Sequence, residues 1–250
     1  MGAPALVWLL PKDLDWPYRV HGSPRTIRAV LLRIATMYIP AHFNHEDRAA
    51  LNALMREFPL GVLITGGRSG LDANHIPFEL DETAGASGVL TAHVARANPV
   101  WQDVADGDEV LVVFRAEQGY ISPSWYPSKH EAHQQVPTWN YRVVHARGRI
   151  TIMDDERFVR GVIARLTRRH EAGEPRPWKM TDSAPDFAEG MLRAMVGIQI
   201  EITALEGKFK LSQNKEVRDI EGAAQALIER GSPGLGQRMQ ACADSKARAD

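Results

Sequence analysis

The chain has one cysteine, Cys242, among 250 residues, and it has no long apolar run. A single thiol excludes an internal disulfide framework and any zinc site built on several thiolates, and it fits a reducing compartment. No stretch of about 18 to 20 apolar residues occurs, so the sequence predicts no membrane span. We therefore expect a soluble, cytoplasmic protein.

An excess of charge of either sign is also missing. Thirty basic residues face thirty-one acidic ones, which leaves a formal net charge of -1. No global field therefore draws the protein toward nucleic acid or an anionic membrane, and any such binding must come from a local patch. The hydrophobic content of 44% is sufficient for a substantial core.

The sequence pattern divides the chain into three parts. Residues 1–36 carry four prolines and no sustained period, which predicts an irregular extension with one short helix near 26–35. Residues 37–231 alternate clear strand and helix patterns and form the predicted domain. From residue 232 glycine, proline, alanine and charge dominate, so we expect a frayed tail over 232–250.

The secondary-structure pattern within 37–231 favours antiparallel strands with appended helices. Asn44 is the expected N-cap of a helix that stops at Pro59, and "GRSG" is the expected turn of a hairpin. Gly148 is the expected bulge in a long strand. Strands at short spacing with helices added outside them indicate a mainly β, α+β fold, an antiparallel barrel, rather than a doubly wound parallel sheet.

One candidate anion site lies in "HVARANP", residues 93–99. Arg96 offers a bidentate donor for a phosphate, Asn98 offers an amide, and the helix expected after Pro99 offers unpaired backbone N–H groups. The alternative is that Arg96 is a solvated residue and that Asn98 only caps the helix.

A second candidate site is the segment "YISPSWYPSKHEAHQQVPTWNY", residues 120–141. Its aromatic rings, together with nearby hydroxyl and amide side chains, suit a planar heterocycle. The alternative is a proline-rich loop whose rings plug one end of the barrel. His130 and His133 lie beside Glu131, but the local sequence lacks the further ligands that a metal site needs.

Several motifs together resemble the PaiB family of FMN-binding negative transcriptional regulators. They include "MYIPAHF" from residue 37, "HVARANPVW" from 93, "YISPSWY" from 120, "VPTWNY" from 136 and "LEGKFKLSQN" from 205. The resemblance covers about 37–231 and begins at Met37, which would make Met37 the natural start. It implies a split β-barrel of the FMN-binding type, a homodimer, and FMN bound near the subunit interface.

The resemblance also assigns site residues. It implies that the phosphate and ribityl chain of FMN contact His93, Arg96 and Asn98, with His75 from the preceding hairpin. The flavin ring is expected near Ser122, Trp125, Thr138, Trp139 and Asn140. Lys210 and Gln213 of "KLSQN" are expected either as a wall of the cofactor site or as an interface element. Lys208 and Lys210 alternate, so they share one strand face.

Three functions stay open at this point. The first is a flavin-binding regulator or sensor, although acidic residues interrupt the basic segment 157–179 and the charge pattern does not favour direct DNA contact. The second is a flavin-dependent oxidoreductase, such as a flavin reductase or a pyridoxamine phosphate oxidase. The third is a haem-binding split barrel that uses one of several histidines as an axial ligand: His75, His93, His130 or His133.

Overall fold

A computed structural model describes residues 37–249 of the chain. The predicted extension 1–36, with its short helix, lies outside the described residues. Within the part that is described, no helix is both long enough and apolar enough to cross a membrane.

The described residues contain eight strands and seven α-helices. The strands are β1 (Asn44–His45), β2 (Leu60–Gly67), β3 (Gly70–Pro77), β4 (Glu79–Asp81), β5 (Val89–Ala95), β6 (Glu109–Ile121), β7 (Thr138–Met153) and β8 (Met195–Lys210). The helices are α1 (Arg48–Glu57), α2 (Val100–Asp103), α3 (Lys129–Ala132), α4 (Glu156–His170), α5 (Pro185–Arg193), α6 (Val217–Glu229) and α7 (Pro233–Ala247). Short 3-10 helices span Ala41–Phe43, Pro123–Trp125 and Met180–Asp182.

All strand pairs are antiparallel and belong to one sheet, in the order β3-β2-β6-β7-β8-β5-β4, with β1 paired to β8. The strand β3 stands at one end of this order, and β5 is next to the other end. The Asn98 amide after β5 nevertheless donates to Asn74 Oδ1 on β3 at 2.7 Å, which shows that the sheet curls round on itself. The prediction of a mainly β, α+β split barrel with peripheral helices is confirmed.

The hairpin and the bulge follow the sequence pattern. β2 and β3 pair from Leu60↔Pro77 to Gly67↔Gly70, so Arg68 and Ser69 form the turn, and Gly70 takes a positive φ of 105°. The register of β7 against β8 shifts between Arg147 and Gly148. A side chain at Gly148 would collide with the backbone of the facing strand, which explains the glycine at the bulge.

The start of α1 differs from the expectation. Asn44 is not the N-cap, because it lies in β1 opposite Lys208. The helix begins three residues later, where the Asp47 carboxylate accepts a hydrogen bond from the Ala49 N–H. The short strand pairing uses the Asn44 backbone, and a carboxylate caps the helix as well as an amide does.

The frayed tail predicted for 232–250 is wrong. Residues 233–247 form α7, which packs beside α6, and its Leu235, Met239 and Ala243 are buried in the core. These three residues recur every fourth position and so share one helix face. The glycine and charge content of the segment hid this narrow apolar stripe.

The core lies on the inner face of the sheet, between the strands and helices α1, α6 and α7. Strand residues alternate between this face and the outer one, so on β7 the even positions Asn140, Arg142, Val144 and Ala146 are buried. The outer face of β5 and of the first half of β8 is covered by α4. A Cβ on Gly197 would collide with the Phe158 ring of that helix.

Candidate functional site

Arg96, the predicted phosphate donor, lies just after β5 in a set of protein contacts. Its guanidinium donates two hydrogen bonds to the Asp154 carboxylate, at 2.9 and 2.5 Å. It also donates to the backbone carbonyls of Arg193 and Met195 and lies 5.6 Å from the centre of the Trp101 ring. Asp154 raises the pKa of Arg96, and Arg96 lowers the pKa of Asp154. The side chain thus joins β5 to the segments beside α4 and β8.

Asn98 and His75 do not meet at Arg96. The Asn98 Oδ1 atom accepts the Val100 N–H of α2 at 2.9 Å, as predicted for a capping side chain, and its amide donates to Asn74. The helix itself starts at Val100 after Pro99, one residue later than predicted. His75 is exposed on β3, and strand alternation places its side chain on the face opposite that of Asn74.

His93 is on the outer face of β5, opposite Gly197 of β8. It is half-buried at the part of the sheet that α4 covers, and its Nδ1 atom is buried without a hydrogen-bond partner. Burial therefore lowers the pKa of His93.

Asn140 lies inside the barrel, in a polar cluster that joins the aromatic segment to "KLSQN". Its amide donates to Ser212 Oγ at 2.8 Å, and the Tyr126 hydroxyl lies 3.3 Å from the same oxygen. Ser212 takes a left-handed φ of 67°, which positions its hydroxyl between the two partners. The Asn140 Oδ1 atom is buried without a partner.

The neighbouring contacts anchor the rest of the aromatic segment. The buried Asp219 carboxylate of α6 accepts the Ser128 N–H at 3.0 Å and the Ser128 hydroxyl at 2.6 Å. Ser122 Oγ accepts the Ser124 N–H at the start of a 3-10 helix. The Gln213 side chain turns back onto its own loop, bonding the Phe209 carbonyl and the Leu211 N–H. These groups shape the segment.

Three aromatic rings of the segment form an outward cluster. Tyr120 on β6 pairs in register with Trp139 on β7, and their ring centres lie 6.4 Å apart in an edge-to-face arrangement. Trp125 makes a similar contact with Tyr120. The Tyr120 and Trp139 side chains are 47% and 48% exposed, so their rings can still accept another planar group.

Lys208 and Lys210 extend from β8 on the same outer face. The Lys208 ammonium donates to the Tyr38 carbonyl at 2.9 Å and lies 5.4 and 5.7 Å from the Tyr38 and Tyr141 ring centres. Lys210 donates to Thr138 Oγ1. Burial, and then the Lys208 charge, lower the pKa of Lys210. Within residues 37–249, neither ammonium has a carboxylate within 4 Å.

We call this surface the lysine–aromatic face and define it by Tyr38, Trp139, Tyr141, Lys208 and Lys210. Register joins its two strands, because Tyr141 pairs with Lys210. Two ammonium groups without counter-ions suit an anion such as a phosphate, and the partly exposed rings suit a planar heterocycle. The face can therefore bind both parts of a phosphorylated aromatic ligand.

One chain does not bring all predicted site residues together. Ala95, beside Arg96, pairs with Met195 at the start of β8, whereas Lys210 ends the same 16-residue strand. At about 3.3 Å per residue, these positions lie about 50 Å apart along the strand. His93, Arg96 and Asn98 thus belong to one end of the barrel, and Thr138, Trp139 and Lys210 belong to the other.

No group of three or more His, Cys, Asp or Glu side chains suited to a metal ion occurs in the described part of the chain. His133 is exposed and takes a left-handed φ of 52° after α3. His75 and His93 lie on different strands, β3 and β5, which are not paired with each other in the sheet.

The basic segment considered for DNA is largely helix α4. Three of its arginines already bind within the chain: Arg160 pairs with Glu156, Arg165 with Glu79, and Arg169 donates to the Arg56 carbonyl. These contacts use part of the charge that a DNA-binding helix would present.

Sequence reasoning did not name Tyr38 or Tyr141 as site residues. The alternation of Lys208 and Lys210 was visible in the sequence, and it placed both lysines on one strand face. The contacts of Tyr38 and Tyr141 with Lys208 depend on chain segments that are distant in sequence, so no local pattern could reveal them.

Comparison with known proteins identifies relatives along most of the chain. A family model described as "Putative FMN-binding domain" matches residues 37–204. The protease synthase and sporulation protein PAI 2 of Bacillus subtilis is 26% identical over 208 residues, which cover 83% of this chain and 97% of that protein. An uncharacterized protein of Emericella nidulans, AN0679, is 31% identical over 231 residues, covering 78% of this chain and 92% of the relative.

Among solved structures, the flavocytochrome Anf3 from Azotobacter vinelandii has a similar fold. The TM-score is 0.53 at 13% sequence identity, over 69% of this chain and 72% of that one. At this low identity, the similarity shows a shared fold only.

Proposed function

Because the chain belongs to the PaiB-like family of FMN-binding domains, we propose that it binds FMN and that its lysine–aromatic face holds the cofactor. The observation that carries the placement is the pair of lysines without a carboxylate partner beside exposed aromatic rings. The family match ends at residue 204, so the placement on the last residues of strand β8 depends on geometry.

The phosphate of FMN fits the two lysines. Alternate positions on one strand are about 6.5 to 7 Å apart, and a phosphate between them can accept a hydrogen bond from each ammonium. The Lys210 side chain is partly buried, so an anion beside it meets less competition from solvent. Arg96 is the alternative phosphate donor, but it would first have to leave Asp154.

The isoalloxazine ring fits the aromatic part of the face. Trp139 and Tyr141 are neighbours on the outer side of β7, and nearly half of the Trp139 side chain is exposed. A planar ring laid against them gains contact area in the offset or edge-to-face geometry that aromatic pairs prefer. When bound, FMN supplies hydride or electron transfer, and the residues of the face bind and orient it.

A homodimer would bury the adjacent outer face of the sheet. Strand alternation directs Val62, Ile64, Leu111, Val113 and Val143 outward from β2, β6 and β7. Four of these side chains stay partly exposed in the single chain. A Val113→Asp change should give monomers in analytical ultracentrifugation, whereas the exposed Leu71→Asp change on β3 should not alter the mass. Wild-type monomers would contradict the dimer.

The role that fits these features is a cytoplasmic flavin-dependent sensor or regulator in which the flavin changes a dimer equilibrium. The test is a fluorescence titration of the full chain with FMN and with riboflavin. We expect FMN to bind at least tenfold more tightly, because riboflavin lacks the phosphate. Equal affinities, or no flavin binding, would refute the proposed site.

The open position of the rings favours a second candidate, a flavin-dependent oxidoreductase. The Tyr120 and Trp139 side chains are nearly half exposed, so a flavin held against them would stay accessible to a second molecule. Turnover of reduced nicotinamide with a defined electron acceptor would support an enzyme. Reversible flavin binding without turnover would support the sensor. A Soret band that is lost on changing one histidine would indicate the haem-binding alternative instead.

A further inference from the structure

A cavity between α4 and the loop that follows it lies apart from the lysine–aromatic face. Its volume is about 440 Å³, within the range of about 300 to 1,000 Å³ that is usual for small-molecule sites. The lining residues are Ala164, Thr167, Arg168, Glu171, Ala172, Pro177, Trp178, Lys179 and Met180.

The loop is held over its own helix by specific hydrogen bonds. The Glu171 carboxylate accepts the Trp178 N–H at 2.8 Å, and the Asp182 carboxylate accepts the Lys179 N–H at 2.9 Å. A backbone bond from the Glu174 N–H to the Glu171 carbonyl closes the turn after the helix. These hydrogen bonds fix the loop that forms one wall of the cavity.

The walls of the cavity are mainly apolar. Trp178, Pro177 and Met180 from the loop face Ala164 and Ala172 from the helix side. The Trp178 side chain is 42% exposed, which is high for a residue of this size, and a flat ligand would cover its ring.

The charged groups at the cavity favour an anion. Arg168 and Lys179 line it, and neither forms an ion pair with a carboxylate among residues 37–249. The single acid of the lining, Glu171, already accepts the Trp178 N–H. The lining thus holds two cations and one carboxylate, so its charged side chains carry a net positive charge.

We propose that this cavity binds an aromatic carboxylate, with its ring against Trp178 and Met180 and its carboxylate at Arg168 and Lys179. Apolar walls and two positive side chains at one small cavity match that chemistry, since each part of the ligand then meets its complement. The site does not depend on flavin binding.

The test uses naphthalene-2-carboxylate as the probe and isothermal titration calorimetry on the full chain. We expect measurable binding of the carboxylate and at least tenfold weaker binding of the neutral 2-naphthalenemethanol. Equal affinity for the two probes, or no carboxylate binding at millimolar concentration, would overturn the proposal.

Variants locate the site. Arg168→Ala and Lys179→Ala should each lower the affinity for the carboxylate probe about five- to tenfold, without changing the affinity for the neutral probe. Ala164→Phe should fill the cavity and abolish binding of both probes, with circular dichroism confirming that α4 is retained. The matched control is Arg157→Ala, which removes an exposed arginine of the same helix outside the cavity. If all variants bind the carboxylate as the control does, the site is wrong.

Discussion

Changing Lys210 to methionine tests whether the end of β8 holds the flavin phosphate. Methionine keeps most of the aliphatic stem, so the change mainly removes the positive charge and the hydrogen bond to Thr138. A hydrogen bond between charged groups contributes about 1.5 to 3 kcal/mol. Because Lys210 is only partly buried, we take the lower end, which corresponds to a loss of about tenfold in FMN affinity.

The assay is quenching of flavin fluorescence, titrated with FMN and riboflavin in parallel at fixed ionic strength. Riboflavin affinity should change less than twofold, since the substitution leaves the rings in place. Arg157→Met is the matched control, because it removes a positive charge from an exposed position of α4 that belongs to neither candidate site. Equal losses for both flavins would mean that Lys210 supports the fold of the site, and unchanged FMN affinity would place the phosphate elsewhere.

The same assay decides between the two ends of the barrel. If Arg96 held the phosphate, Arg96→Ala would lower the affinity for FMN but not for riboflavin. Asp154→Ala would raise the affinity for FMN, because it releases the Arg96 guanidinium. With the phosphate at the lysines, we expect both changes to alter FMN and riboflavin affinity equally, through the stability of the β5 end. A selective loss in Arg96→Ala would refute the lysine–aromatic face.

Three further outcomes follow from the described contacts. Asp219→Ala leaves two buried donors of Ser128 unpaired, so the free energy of unfolding should fall by about 2 to 4 kcal/mol in urea titrations. An unchanged urea midpoint would show that Asp219 does not anchor the aromatic segment. Met239→Ala should lower the free energy of unfolding by about 2 to 5 kcal/mol, because this side chain of α7 is fully buried. A negligible loss in the same titration would instead support a frayed C-terminal segment. Burial lowers the pKa of His93, so the unfolded state binds more protons and stability should fall as the pH drops below about 6.5. The His93→Gln variant should flatten this pH dependence of stability between pH 5 and 7, and an unchanged slope would show that His93 does not contribute.

Much of the fold could be predicted from local pattern. The β2–β3 hairpin, the bulge at Gly148 and helix α4 follow from turn residues, a glycine and helical spacing, all of which act over a few neighbouring positions. The expectations for Asn44 and for 232–250 failed where tertiary pairing decided the outcome. Asn44 pairs with Lys208, and Met239 is buried in the same core as residues far along the chain.

The candidate site divides in the same way. Asn98 was correctly expected to cap a helix, since a cap is a local hydrogen bond. Arg96 and Asn140 were reasonable donors by type, but the first is bound to Asp154 and the second lies inside the barrel beside Ser212. Which of several suitable donors is free depends on partners that are remote in sequence.

The sequence by itself determined the family, the antiparallel barrel with appended helices, and the presence of basic and aromatic side chains, because motifs, turns and periodicity are properties of short segments. Only the tertiary structure decided which of these side chains meet. The register of β7 on β8 brings Tyr141 beside Lys210, while the length of β8 separates Lys210 from Arg96. Strand pairing joins residues that are distant in the chain, and the burial of a shared core, rather than any local preference, selects that pairing.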